Sequence, residues 1–244
     1  MARSQGDVEI EGAAALTAAR VGFWTAIQTA TFAAAGFAMG ILTPPRSGVF
    51  CTGACIPYPY SDAAQFVPGD FRWMIPALML TPLFLVLMAC IHMTAPSGKK
   101  LYSLLGLCFA TVSMAVVTLD YIVQRDVVQP SLLKGETVGV ALISQYNPHG
   151  VFIAMEDMGY LALSAAFLCA ALAIPRGGKL AAAIRWIFLV SGQLSFASYL
   201  FLSWRFGADL DVKFELAVIT FTWPVLVIEG VLLAVFFRRA AKNG

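Results

Sequence analysis

The sequence predicts an all-α integral membrane protein, a bundle of six transmembrane helices with both termini in the cytoplasm. Three observations carry that prediction. The 244 residues are 59% hydrophobic and only 12% charged, about half the charged share of an average soluble domain. The apolar residues are gathered into six runs of about 20 or more, each enough to cross ~30 Å of hydrocarbon. The basic residues are unevenly placed. An even number of spans puts both termini on one side, and that side collects Arg3, Arg20, Lys99, Lys100, Arg176, Lys179, Arg185, Arg238, Arg239 and Lys242. The opposite side holds Arg46, Arg72, Arg125, Lys134, Arg205 and Lys213. Lys/Arg excess marks the cytoplasmic side. The same scatter of charge excludes a nucleic-acid patch.

Residues 1–19 read as a cytoplasmic N-terminal segment. It is unlike a secretory signal, because its charged region is acidic (Asp7, Glu9, Glu11). Residues 20–239 read as a single transmembrane domain and 240–244 as a cytoplasmic tail. The first span covers 20–42 and carries Gly36 and Gly40 in a G-x-x-x-G pattern, which brings helices close together. Packing inside the bundle is the first expectation for that face, and a second copy or another membrane protein is the alternative. A Pro- and Tyr-rich loop follows, 43–70, with Cys51 and Cys55 on the predicted outer side. A disulfide is chemically allowed there, with free thiols or a redox-active pair as alternatives. Cys90, Cys108 and Cys169 lie in apolar runs and read as small core residues.

The second span covers 71–94, where Pro76 and Pro82 are expected to bend the helix. The third covers 101–124, and 127–144 reads as a connection along the membrane surface. The fourth, 148–174, opens with Asn147 as cap and Pro148 at the first helical position. The fifth covers 180–204 and the sixth 213–237, with Pro224 near its middle.

The fourth span holds the most costly residues. Glu156 and Asp157 lie roughly 12 Å inside its start, where ionisable groups are expensive and carry function or pairing. Adjacent helical positions diverge by about 100°, so one of the two is expected to face the bundle interior. Helical spacing then groups polar residues into inward faces: Ser113, Asp120 and Gln124 on the third span; His149, Glu156, Tyr160 and Ser164 on the fourth; Ser191, Ser195 and Ser198 on the fifth; Glu215, Thr222 and Glu229 on the sixth.

These faces predict an acidic pocket toward the outer leaflet that binds or transforms a small amphipathic, lipid-like molecule. Asp120, His149, Glu156 and Asp157 are its candidate catalytic residues, and Gln124, Arg125, Gln145, Tyr160 and Glu215 its candidate ligand contacts. An acid beside His149 would suit proton transfer on a substrate such as an isoprenoid, and Arg125 would serve as counter-charge. The alternatives are a purely structural polar network, a proton-coupled transporter, and a non-catalytic subunit of a larger membrane complex. Gln28 and Glu229 are at similar depth and are expected to pair by hydrogen bonding; with Gln193 they would also extend a transport path inward.

No Gly-rich phosphate loop, nucleophile elbow or HExxH is present, and no metal site or cofactor is assigned. His92 and His149 lie near opposite ends of their spans and cannot ligate one haem. Membrane lipids are the expected partners. The stretches Pro68-Gly-Asp-Phe-Arg-Trp-Met74, Ile91-His92, Leu119-Asp120-Tyr121, Gln129-Pro130-Ser131 and Tyr146 to Tyr160 resemble those of an uncharacterised bacterial family of six-span membrane proteins with no assigned function. The resemblance covers the middle of the chain and implies a location in the bacterial inner membrane.

Overall fold

The computed structural model describes residues 5–243, with side chains described for residues 12–242. Residues 1–4 of the N-terminal segment and Gly244 of the tail lie outside it. Six long helices form the molecule: α1 Gln5–Leu42, α2 Met74–Thr94, α3 Lys100–Val123, α4 Val151–Ala173, α5 Gly178–Phe206 and α6 Lys213–Asn243. All six include a stretch long and apolar enough to cross a membrane, and no strand occurs among the described residues. The chain is a multi-pass membrane protein. Trp24 and Trp186 near one end of the bundle and Trp204 near the other are exposed, as expected where amphipathic rings meet the membrane–water boundary.

The helices form a ring in chain order, closed by α6 against α1. α4 also reaches α6 and α2 across the ring, which makes it the central element. Small residues set the closing seam. A Cβ on Gly230 would lie 2.8 Å from the Ala26 carbonyl oxygen, and one on Gly36 would lie 2.5 Å from the Trp223 ring. The expected close packing at Gly36 is therefore met within the chain, which leaves that glycine no free face for a partner. Four residues on, nothing lies within 4 Å of a Cβ built on Gly40. α1 and α6 have parted there.

Helix ends and breaks are satisfied locally. Lys99 and Lys100, read from sequence only as markers of sidedness, donate to carbonyls at helix C-termini: Lys99 Nζ to Ile174 O at 2.5 Å, Lys100 Nζ to His92 O at 2.6 Å. Pro82 removes the donor that Leu78 O would have used, and the Thr81 hydroxyl takes that carbonyl at 3.0 Å. Pro76 falls in the first turn of α2, where a missing N–H costs nothing.

Three boundaries differ from the sequence reading. α1 and α6 extend beyond 20–42 and 213–237, because helix needs no lipid to continue. The supposed connection after residue 124 is largely helical: a π turn over Gln124–Val128 leads into a helix over Gln129–Lys134, followed by a short helix over Val140–Ile143. α4 starts at Val151 with Gly150 as its cap residue. Asn147 instead holds a turn, accepting from His149 N at 3.2 Å and donating Nδ2 to Ala141 O at 2.9 Å.

Overpacking the seam should cost about 1–3 kcal/mol. Gly230→Ala is expected to lower the thermal midpoint in detergent, and Gly40→Ala to leave it unchanged; an equal response at both positions would contradict the seam.

Candidate functional site

Above Gly36 and Trp223, the gap between α1 and α6 opens into a cavity of about 350 Å³. Phe37, Gly40 and Ile41 form the α1 wall, and Glu215, Leu216, Ile219 and Thr220 form the α6 wall. Trp73, Phe152 and Trp223 close the inner side. Ile41 and Leu216 are exposed at the bundle surface, so the cavity opens sideways between the two helices.

Its roof is the 43–50 loop, fastened by several unlike contacts. Arg46 Nε donates to Asp70 Oδ2 at 3.0 Å, and its guanidinium lies 3.8 Å from the centre of the Phe66 ring. Arg46 O accepts from Ile56 N at 2.7 Å. Ser47 donates its hydroxyl to Tyr146 O. The Tyr146 hydroxyl donates to Asp70 Oδ2 at 3.3 Å. Burial, with the Asp70 charge second, pushes the Tyr146 phenol above its ordinary value, so this donor keeps its proton at neutral pH. Cys51 and Cys55 are disulfide-bonded, which is the first of the sequence alternatives. They staple the segment between Arg46 and Ile56. Gly48 takes a positive φ of 71° at the point where the loop meets Pro148.

Behind the cavity wall sits the acidic cluster. Glu156 is fully buried (0% exposed), as is Tyr121 (1%). Tyr121 donates its hydroxyl to Glu156 Oε1 at 2.6 Å. No hydrogen-bond partner reaches Glu156 Oε2, and Glu215, on the cavity wall, lies close enough to act on this carboxyl. Trp223 Nε1 donates to the Tyr160 hydroxyl at 2.8 Å. Tyr121 and Tyr160 border the same small void at the bundle centre. Two hydrogen-bonded pairs result, Trp223–Tyr160 and Tyr121–Glu156, and Trp223 and Glu215 line the cavity.

The predicted site residues divide into several sets. Glu156, Tyr160 and Glu215 belong to this cluster. Asp120 (1% exposed) and Asp157 lie close enough to act on Glu215 electrostatically, and each has a buried carboxylate oxygen without a donor. Gln145 lines the cavity. Gln124 is buried but structural: Nε2 donates to Ile143 O at 2.6 Å and Oε1 accepts from Gln145 N at 2.9 Å. The π turn aims it inward, where its amide holds the backbone that carries Gln145.

Three expectations are corrected. The His149 side chain is 69% exposed, with Nδ1 3.6 Å from Asp211; the later start of α4 leaves it in the turn, away from the acids. Arg125 is exposed and its nearest acid is its neighbour Asp126 at 4.0 Å, because the π turn rotates it off the inward face. Gln28 is exposed, and Glu229, though buried (1%), has neither carboxyl oxygen partnered. The expected Gln28–Glu229 bond is not formed, since Gln28 faces out of the ring.

Arg46, Asp70, Trp73, Tyr121, Tyr146 and Trp223 were missed from sequence. Tyr121 follows Asp120 and Trp223 follows Thr222, each about 100° around its helix from a residue read as inward, yet both are buried. Nothing in the sequence joins Arg46 to Asp70 across 24 residues. No group of three or more His, Cys, Asp or Glu side chains among the described residues is placed to hold a metal ion. Comparison with protein-family models, curated proteins and solved structures gives no match for this chain.

Tyr121→Phe should be destabilising by about 1–3 kcal/mol, the cost of leaving a buried acceptor without its donor. Chemical or thermal unfolding in detergent tests this, and an unchanged midpoint would mean that Glu156 finds another partner.

Proposed function

We propose that this protein binds a small amphipathic, lipid-like molecule in the cavity between α1 and α6. The observation that carries the reading is the cavity's composition and opening: apolar walls that reach the lipid-facing surface, backed by a carboxyl pair and a roof of fixed polar groups. Pockets of about 300–1,000 Å³ with mostly apolar walls and a few convergent polar groups are typical ligand sites. Glu215 on the wall, with Glu156 behind it, gives a bound molecule a carboxyl to meet, the group that proton transfer there would use.

A transport path has less support. It needs polar groups along the whole bundle, and Gln28 and Gln193 both face outward.

Gently purified protein should carry a bound molecule by native mass spectrometry. Gly40→Trp, which puts a ring into the cavity where no neighbour stands, should remove it without lowering the thermal midpoint. Wild-type protein with no bound mass, or a Gly40→Trp variant that keeps it, would overturn the reading.

The proposed location is the bacterial inner membrane with the cavity roof outside and both termini in the cytoplasm. After reduction of Cys51–Cys55 in cells with a permeabilised outer membrane, a maleimide unable to cross the inner membrane should label the loop. Protection of both thiols until the inner membrane is broken would reverse the orientation.

A further inference from the structure

The charges on the cavity wall do not balance. Arg46 is the only basic side chain lining it, against Asp70 and Glu215. Arg46 is already committed, ion-paired to Asp70 at 3.0 Å and stacked on Phe66 at 3.8 Å. An anionic headgroup would have to break both contacts to gain a partner. Among the described residues no salt bridge reaches Glu215, and the titratable groups acting on it are Glu156, Asp157 and Asp120, all acids. Asp120 and Asp157 each leave a buried carboxylate oxygen without a donor. The remaining walls are rich in rings, with Phe37, Trp73, Phe152 and Trp223 around the inner half. Trp73 and Trp223 are held in place, the first edge-on to Tyr121 at 5.1 Å and the second by its bond to Tyr160.

Carboxyl groups without a cation, beside fixed aromatic faces, are what recognise an alkylammonium group. Building on the cavity reading above, we infer that the ligand's polar end is cationic: a protonated or quaternary amine on an apolar body, seated with its charge beside Glu215 and its chain leaving between Ile41 and Leu216. The acids behind Glu215 bring no positive charge to repel the cation, and a cation seated beside Glu215 favours its ionised form, a gain that a neutral alcohol does not offer.

The test uses three probes of one chain length, dodecyltrimethylammonium, dodecanol and dodecanoate. Binding to the full-length protein in neutral maltoside micelles is measured by equilibrium dialysis. The cation should bind at least about tenfold tighter than either of the others, and Gly40→Trp should abolish its binding. Glu215→Gln should remove most of the preference while leaving dodecanol unchanged. The ranking of probes on unmodified protein decides the question even if that variant fails to fold. Equal binding of cation and alcohol, blocked by Gly40→Trp, would overturn the charge assignment and leave the cavity reading intact. Tightest binding of dodecanoate would also overturn it and make Arg46 the recognition group. No saturable binding of any probe would overturn both.

Discussion

The hydrogen bond from Trp223 to Tyr160 ties α6 to α4 across the ring, and much of the molecule is arranged around it. A neighbouring helix contact could be made by apolar packing alone. A contact across the ring needs a long side chain, and a buried indole needs an acceptor. Trp223 meets both needs while its ring lies on Gly36 and stacks on Phe37 at 6.5 Å. It is thus the floor of the large cavity, and it also borders a small void at the centre of the bundle, beside Tyr121, Tyr160 and Thr81. Between these two spaces lie the Trp223–Tyr160 and Tyr121–Glu156 hydrogen bonds.

Burying Glu156 completely in an apolar bundle is costly, and the cost is met from three helices. Tyr121 comes from α3, Glu215 from α6, and Glu156 itself from α4. Glu229 shows the contrast. It is as deeply buried, on the same helix as Glu215, yet no donor reaches it. One carboxyl is built into a network and the other stands by itself near the middle of α6. That difference separates a site from a lone polar residue, and it cannot be drawn from hydropathy, which treats the two alike.

The six helices were legible because spanning length and apolar content are local properties. Inward faces were legible wherever a regular helix carried them: Ser113, Asp120 and Gln124 are all buried, as are Glu156, Tyr160 and Ser164. The reading failed where regularity ended. His149 was placed on a face by extending α4 one turn too far, and Arg125 by running α3 straight through a π turn. For Gln124 burial was legible but its partners were not, since spacing does not say that its amide meets the backbone at Ile143 and Gln145. The roof was invisible, because Arg46, Asp70, Ser47 and Tyr146 meet only through a fold in the loops that no spacing rule records.

α1 has 38 residues, about 57 Å of helix at the usual rise, against ~30 Å of hydrocarbon. Its far end is fixed in depth by the roof, which begins directly after Leu42. The surplus therefore projects from the face that carries the termini.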